Sequence, residues 1–209
     1  GGGSRSWEGE RGCGDGGGAG NAGANGGECD ESASPRDEAC RLGEDRAIFV
    51  APDGDDLAAG TREAPLKTLA EALERASASG KLVAACAGTY AENLVFDAAA
   101  PEPIELYGGF RCDEGWGAPE DDERSVVAPA SGLPLLVDRA GVAVRIEDFE
   151  FLAADATSPG ESSIAAIVSR SGDVTFRSVQ FTAGLGGEGA GAETTEHVPP
   201  EPPELGGNA

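Results

Sequence analysis

The sequence has 209 residues, 33 of them Gly, and carries 38 Asp and Glu against 15 Lys and Arg. A net charge of −23 repels phosphate and anionic lipid, which disfavours binding to nucleic acid or to an anionic membrane surface. The single histidine, His197, lies in a Pro/Glu segment, which disfavours a Ser-His-Asp triad, a Cys-His pair or a multi-histidine metal site. No apolar run approaches the roughly 18 residues that indicate a membrane-spanning helix.

The Gly residues are concentrated at the N-terminus, where they make up thirteen of the first 27 positions. Such a segment buries too little apolar surface to offset its ordering entropy, so we predict a Gly-rich tether over residues 1–46. Residues 184–209 contain five Glu and no Lys or Arg, which predicts a low-complexity loop or acidic tail. Residues 47–183 carry nearly all the strand and helix signal, and we predict one domain there.

The chain has five cysteines and no CxxC motif. Cys29 and Cys40 bracket a short polar loop, and Cys86 and Cys112 each adjoin an apolar strand-like run. We predict the disulfides Cys29–Cys40 and Cys86–Cys112, with Cys13 left over in the tether. Disulfides persist in oxidising compartments, so this pairing predicts an exported protein, whereas five free thiols would indicate a cytosolic one.

The domain opens with a strand and a helix. Residues 47–51 form a short apolar run that ends in a turn signal at 52–56. Thr68 followed by Glu71 is typical of a capping box, the apolar residues that follow have helical spacing, and Gly80 is a natural stop. We therefore predict one amphipathic helix over about residues 67–78.

After Gly80 the pattern changes to short strands bounded by Gly, Pro, Asp or Ser. The predicted strand runs are 81–86, 93–96, 103–107, 125–128, 134–137, 142–151, 163–168 and 174–181.

Two of these stretches repeat, because residues 134–153 can be laid over residues 164–183 with apolar side chains superimposed. The matches are Val137 on Ile167, Val144 on Val174, Ile146 on Phe176, Phe149 on Val179, Phe151 on Phe181 and Ala153 on Ala183. A fixed repeat of this length favours a parallel β-solenoid, in which each coil stacks on the previous one. An antiparallel sandwich or barrel is the alternative that the strand pattern leaves open.

Several segments occur in an order that resembles a known family. They are 48–54, Gly60-Thr61, 64–69, Ala72-Leu73, 80–83, 87–93 and 106–110. Together they resemble the N-terminal cap and first coils of right-handed parallel β-helix proteins of the pectin-lyase-like superfamily, which open with a strand, a capping helix and a GTY-x-EN turn.

The resemblance runs from about residue 47 to 183. It implies an all-β, right-handed parallel β-helix with one N-terminal capping helix that covers the exposed end of the core. It does not imply one activity, because the same opening precedes esterases, lyases, hydrolases and non-catalytic surface proteins. The tether and the Cys29–Cys40 segment resemble predicted bacterial surface lipoproteins. This implies a lipid anchor upstream of residue 1 and a location outside the cell or at the outer membrane.

The resemblance also suggests where catalysis would occur, because polysaccharide-cleaving β-helices display carboxylates, Arg or Lys, and sometimes Ca²⁺ on one strand face. The candidate residues are Arg145, Glu147, Asp148, Glu150, Asp173 and Arg177. At the repeat spacing Glu147 falls beside Arg177. This is either a carboxylate–guanidinium site or an outward-facing ion pair worth less than about 1 kcal/mol, and we favour the ion pair.

The remaining candidates have simpler interpretations. The carboxylates of the turn at residues 53–56 are potential ligands for Ca²⁺, but their spacing is not that of an EF-hand. Because Asp and Gly are common in turns, we favour an ordinary turn without a bound ion. We interpret Asn93 as a turn-forming or stacked-Asn position and not as a catalytic residue. Trp116 is either a sugar-stacking aromatic or a packing residue beside Cys112. The segment 186–189 lacks the strand–helix context of a phosphate loop.

We therefore expect a non-catalytic, extracellular, surface-tethered β-helix domain for display, adhesion or envelope structure, and expect it to be the N-terminal part of a longer protein. The alternatives are a polysaccharide lyase, hydrolase or esterase, and a Ca²⁺-dependent carbohydrate-binding module. We expect no catalytic residues and no cofactor apart from a weak Ca²⁺ candidate. The expected partners are carbohydrate or cell-surface components.

Overall fold

The computed structural model describes residues 29–97, 102–120 and 122–189. These residues form twelve strands, the α-helix α1 (Leu69–Ser79) and two 3₁₀ turns, at Ala39–Leu42 and Cys112–Glu114. The strands are β1 (Ala47–Val50), β2 (Leu82–Cys86), β3 (Gly88–Tyr90), β4 (Leu94–Phe96), β5 (Ile104–Phe110), β6 (Ser125–Val127), β7 (Leu135–Asp138), β8 (Val144–Glu147), β9 (Phe149–Leu152), β10 (Ala166–Ser169), β11 (Val174–Arg177) and β12 (Gln180–Thr182).

The strands form three sheets that the chain visits in rotation. Sheet I has the order β1-β2-β5-β8-β11, sheet II the order β3-β6-β9-β12, and sheet III the order β4-β7-β10. Each passage through the sheets is called a round here, and every ladder between the named strands is parallel. This confirms an all-β fold with parallel sheets and, within the described residues, one α-helix.

Two corners between sheet I and sheet II are each formed by a single residue with left-handed backbone geometry. The predicted strand 142–151 is two strands, because Asp148 has φ 57° and turns the chain from sheet I to sheet II. Ser178, with φ 53°, divides the predicted run 174–181 in the same way. Asp tolerates this region better than most residues with a Cβ, because its short side chain can hydrogen-bond locally.

The predicted repeat is correct in two sheets and displaced by one residue in the third. Val174 pairs with Val144 and Phe181 with Phe151, as the overlay predicts. In sheet III, however, Val137 pairs with Val168 and not with Ile167. Residues 139–143 connect β7 to β8, whereas the shorter segment 170–173 connects β10 to β11. A single fixed spacing requires connections of equal length, so it does not include this shift.

The space between the three sheets is filled by apolar side chains from every round. These include Val83, Leu94, Leu106, Val127, Leu135, Val137, Ile146, Phe149 and Phe151, and each is at most 1% exposed. The phenyl rings of Phe151 and Phe181 stack with centroids 5.6 Å apart, so the aromatic contact continues from one round to the next. Stacking of equivalent positions makes this a single continuous core.

Helix α1 covers the first-round end of this core, burying Leu69, Ala72 and Ala76. Its N-cap is Thr68, whose hydroxyl accepts the Glu71 N–H at 3.3 Å, and Gly80 ends it in the left-handed conformation. The predicted cap residues are therefore confirmed. The reciprocal half of the capping box is not formed, because the Thr68 N–H donates to the Asp56 carboxylate at 2.8 Å.

Residues 29–46, called the strap here, pack on the outer face of sheet I. Leu42 joins Phe49, Tyr107 and Trp116 in a second buried cluster outside the sheet. The remainder of the predicted tether, residues 1–28 with Cys13, lies outside the described residues. The strap brings its own apolar and charged side chains, and these attach it to the sheet.

Both predicted disulfides are present. Cys29 is bonded to Cys40 within the strap, with Cα atoms 6.0 Å apart. Cys86 at the end of β2 is bonded to Cys112, with Cα atoms 5.6 Å apart. One disulfide closes the strap into a loop, and the other ties the segment after β5 to the neighbouring strand.

Part of the predicted tail stacks on the preceding round. The Leu185 carbonyl accepts the Ala156 N–H at 2.8 Å, and the Gly184 N–H donates to Ser163 Oγ at 2.8 Å. Residues 184–189 therefore follow the path of residues 154–163. Residues 190–209, including His197, lie outside the described part of the chain.

Candidate functional site

Charged and aromatic side chains occupy neighbouring strands on the outer face of sheet I. Parallel register places Glu105 of β5 beside Arg145 of β8, and Tyr107 beside Glu147. The next strand places Arg177 of β11 beside Glu147. Alternate residues of a strand point to the same face, so these side chains form ladders beneath the strap. These side chains, together with Asp148 and the strap residues Arg36, Asp37 and Arg41 that pair with them, are called the charged cluster. It contains four of the six predicted candidates, namely Arg145, Glu147, Asp148 and Arg177.

Glu147 lies at the centre of the charged cluster and is 1% exposed. Its Oε1 accepts from Arg145 Nε at 2.6 Å, and its Oε2 lies 3.7 Å from Arg177 Nη1. The sequence correctly places Glu147 beside Arg177, and the pair lies on the outer face of sheet I as expected. The expectation that this ion pair is exposed to water is wrong for Glu147. The strap covers the sheet at this point, and the carboxylate is withdrawn from water.

Asp148, at the corner between β8 and β9, is 5% exposed and pairs with an arginine of the strap. Arg36 Nη1 lies 3.3 Å from Asp148 Oδ1, and Arg36 Nη2 donates to the carbonyls of Pro119 at 3.0 Å and Glu120 at 3.1 Å. Burial raises the pKa of Asp148, and the Arg36 charge only partly opposes that rise.

One further ion pair and one hydrogen bond to the backbone attach the strap to sheet I. Arg177 Nη1 lies 3.3 Å from Asp37 Oδ2, and Arg145 Nη1 donates to the Ser32 carbonyl at 2.9 Å. The guanidinium group of Arg145 therefore bridges the buried Glu147 carboxylate and the strap backbone.

Arg41 is a buried arginine of the strap, with 3% exposure. Its guanidinium pairs with the Glu105 carboxylate and donates to the Tyr107 hydroxyl at 3.1 Å. The Tyr107 hydroxyl in turn donates to Glu105 at 3.0 Å, and the Arg41 and Arg145 guanidinium groups each lie 5.7 Å from the Tyr107 ring centre. Burial raises the pKa of Tyr107, so this hydroxyl keeps its proton at neutral pH.

The chemistry of the charged cluster is that of an anchor. Glu105, Glu147 and Asp148 each accept a hydrogen bond from one guanidinium group, and Glu147 forms an ion pair with a second. These contacts satisfy charges that would be costly to bury alone. Glu105, Glu147, Asp148 and Arg177 make five ion pairs, and three of these have their partner in the strap, so the strap and sheet I hold each other in place. A general acid and base would need carboxylates that reach a substrate, and here the strap lies over them.

Two predicted candidates lie away from the charged cluster. Glu150 is on sheet II, where its carboxylate accepts from Thr182 Oγ1 at 3.1 Å. Asp173 is exposed just before β11. Five residues of the cluster are not among the predicted candidates, namely Arg36, Asp37, Arg41, Glu105 and Tyr107. Three of them belong to the strap, and their only sequence signal is a charged, Gly-poor segment between Cys29 and Cys40 or directly after it.

The Asp-rich turn at 53–56 caps the helix. Asp56 Oδ1 accepts the N–H groups of Lys67 at 3.0 Å and Thr68 at 2.8 Å, and Oδ2 accepts the Thr68 hydroxyl at 3.0 Å. Burial acts to raise the pKa of Asp56, but these backbone hydrogen bonds outweigh it and lower the pKa. Glu92 of the GTY-x-EN turn adds a second cap by accepting the Leu69 N–H at 2.9 Å.

Two other predicted candidates have structural contacts. Asn93 Nδ2 donates to the carbonyls of Ser131 at 3.1 Å and Leu133 at 3.0 Å, which ties the turn to the next round. Trp116 is 5% exposed, and its indole ring lies edge-on to Phe49 at 4.7 Å. The packing interpretation therefore describes Trp116, and its ring has no open face for a sugar.

Among the described residues, one group of three potential ligands lies close enough to hold a metal ion, and it consists of Cys29, Glu38 and Cys40. The two sulfur atoms of this group are joined in a disulfide, whereas a cysteine metal ligand is a thiolate. The described helices include none with the length and hydropathy to cross a bilayer.

Comparison with known proteins gives one match. Residues 52–132 are similar to a family described as a protein of unknown function, DUF1565. No curated protein and no solved structure matches the chain. The matched range begins after β1, contains α1 and ends before β7, so it covers the opening of the fold and not β8, β11 or the strap.

Proposed function

We propose that this chain is a non-catalytic, right-handed parallel β-helix module of the pectin-lyase-like superfamily. We further propose that it belongs to a bacterial surface lipoprotein and serves display, adhesion or envelope structure outside the cell. The rotation of the chain through three parallel sheets supports the β-helix, and α1 occupies the place of its N-terminal cap.

The observation that carries this proposal is the use of the candidate catalytic residues. Arg145, Glu147, Asp148 and Arg177 are engaged with each other or with the strap. In a carbohydrate-active β-helix such residues would face the glycan. Here they fix an N-terminal segment to the sheet, which favours a mechanical role for this face.

The extracellular part of the proposal is supported by the two disulfides, because such bonds persist in oxidising compartments. Non-reducing peptide mapping of the protein from its native host tests it. We expect peptides linked through Cys29–Cys40 and Cys86–Cys112. Free thiols at these four positions would contradict export.

The non-catalytic part is tested with the 209-residue chain and a panel of acidic and neutral polysaccharides, with and without Ca²⁺. We expect no release of unsaturated uronate, reducing ends or acyl groups above a heat-denatured control. Product release that disappears in Glu147→Gln would contradict the proposal and favour the enzyme. A rise in Tm with Ca²⁺ that disappears on Asp56→Asn would favour a Ca²⁺-dependent binding module.

A further inference from the structure

Within the described residues, the last round leaves one end of the core open. In the part of the chain that the structure describes, β10, β11 and β12 each pair with a strand of the preceding round and have no strand on the other side. Phe181 is 43% exposed and Val168 is 45% exposed, although both occupy positions whose counterparts one round earlier, Phe151 and Val137, are fully buried. Open strand edges beside exposed apolar side chains are typical of an interaction surface.

The hydrogen bonds of β11 show which backbone groups face this end. The carbonyls of Asp173 and Arg177 accept N–H groups from the preceding round, at 2.9 and 3.1 Å. Alternate residues of a strand direct their backbone groups to opposite sides. The N–H and C=O groups of Val174 and Phe176 therefore point toward the open end.

We propose that the open end binds a second copy of the chain across a two-fold axis. In this arrangement β11 pairs antiparallel with the partner's β11, centred on Thr175. Val174 then lies opposite the partner's Phe176, and these two residues exchange the hydrogen bonds that the edge leaves unmade.

The charges at the two ends of β11 fit this register. Asp173 precedes the strand and Arg177 ends it, and both are exposed. Centring on Thr175 places Asp173 opposite the partner's Arg177, and symmetry forms the same pair a second time. Opposed charges at both ends favour this antiparallel register over one shifted along the strand.

The same axis accounts for the other two edges. Along the chain, β10 of sheet III comes immediately before β11, and β12 of sheet II comes immediately after it. These two strands therefore flank β11 on opposite sides of sheet I. A two-fold axis through sheet I exchanges these two positions, which brings β12 against the partner's β10. Phe181 is then covered by the partner's Val168.

The opposite end of the fold limits the assembly to two chains. The Phe49 N–H of β1 donates to the Gly60 carbonyl and the Phe49 carbonyl accepts the Leu66 N–H, each at 2.9 Å, so the outer edge of β1 is already covered. A pairing of open end with open end uses the same surface on both chains and closes the assembly.

Sedimentation equilibrium of the full chain at 0.15 M salt tests this proposal. We expect a concentration-dependent rise from 21.0 kDa to twice that mass. Asp173→Lys places Lys opposite the partner's Arg177 twice and should weaken the dimer by roughly tenfold or more. Asp113→Lys makes the same charge change on an exposed residue away from the open end and should leave the dimer unchanged.

A mixing experiment tests the register. Asp173→Lys and Arg177→Glu should each be monomeric alone and should form a mixed dimer together, because each Lys or Arg then faces an acidic residue. Circular dichroism verifies that Arg177→Glu is folded, since Arg177 also contacts the strap. Val174→Pro is a second variant that removes an N–H facing the open end and should also abolish pairing.

Three results would overturn the proposal. They are a monomer at all concentrations, a dimer that Asp173→Lys and Val174→Pro leave intact, and assemblies that grow beyond two chains. In the predicted dimer, hydrogen exchange of the β11 amides slows with increasing protein concentration.

Discussion

The Glu147 side chain shows why the charged cluster is both stable and sensitive. Its carboxylate is 1% exposed and lies between the guanidinium groups of Arg145 and Arg177. A buried ion pair adds little net stability over an apolar pair of the same volume, but removing one partner leaves an uncompensated charge.

We therefore expect Glu147→Ala to lower the free energy of unfolding by about 3 kcal/mol, because two arginines then face each other without their shared carboxylate. Urea denaturation followed by circular dichroism measures the change. Glu150→Ala is the matched control, because Glu150 lies on sheet II and makes only side-chain hydrogen bonds there, so a loss below about 1 kcal/mol is expected. Equal losses in both variants would contradict a special role for Glu147.

Asp148 gives a prediction with a definite sign in pH. Its pKa in the folded protein is raised above 3.8, so folding favours the protonated form. The stability that Asp148 contributes is fully present below pH 3.8 and decreases as the pH rises through the raised pKa. Asp148→Asn does not titrate. The stability of the wild type relative to Asp148→Asn should therefore fall across this window and level off above it.

Urea unfolding of both proteins between pH 3 and 7 measures this difference. A relative stability that instead rises with pH would mean that the Arg36 charge outweighs the burial of Asp148.

At the scale of elements, α1 depends on side chains that precede and follow it in sequence. Asp56 and Glu92 accept N–H groups at its N-terminus, from residues that have no partner within the helix. Negative charge at this position also complements the helix dipole. The turn at 53–56 and the GTY-x-EN motif thus hold the lid of the core in place.

We expect Asp56→Ala to lower the free energy of unfolding by about 1 kcal/mol, the usual effect of losing an N-terminal cap. The pKa of Asp56 is lowered below 3.8, so its contribution is present above pH 3.8 and disappears as the pH falls through the lowered pKa. Thermal unfolding at pH 7 and pH 2.5 should show a larger difference between wild type and variant at pH 7 than at pH 2.5. Asp53→Ala in the same turn is the control, and a similar loss there would contradict the capping role.

At the scale of the whole molecule, the strap joins parts of the chain that are distant in sequence. Arg36 contacts the corner after β8 and the carbonyls at 119–120, Arg41 contacts β5, and Asp37 contacts β11. These contacts span the rounds from β5 to β11 on one sheet. The Cys29–Cys40 disulfide keeps the strap in a closed loop and reduces the entropy cost of ordering it.

The elements that the sequence predicts best are those encoded by local signals. Thr68 and Gly80 mark the helix, and the cysteine spacing indicates both disulfides. The burial of Glu147 could not be predicted, because the segment that covers it lies more than a hundred residues earlier. The division of the run 142–151 at Asp148 could not be predicted for another reason. The apolar pattern of this run continues through the corner, and a single left-handed residue is enough to form that corner. The shift in sheet III depends on the length of a single connection.

Hydrogen exchange of the strap in Arg36→Ala most directly tests the claim that the charged cluster anchors the strap. Arg36 makes three contacts outside the strap, with Asp148, Pro119 and Glu120. Their loss should make the amides of residues 33–42 exchange roughly tenfold faster, while β5 and β8 keep the wild-type rate. Arg139→Ala, which removes an exposed ion pair with Asp138, should leave the strap unchanged. Strap exchange that is unaltered in Arg36→Ala, or equally altered in both variants, would contradict the account.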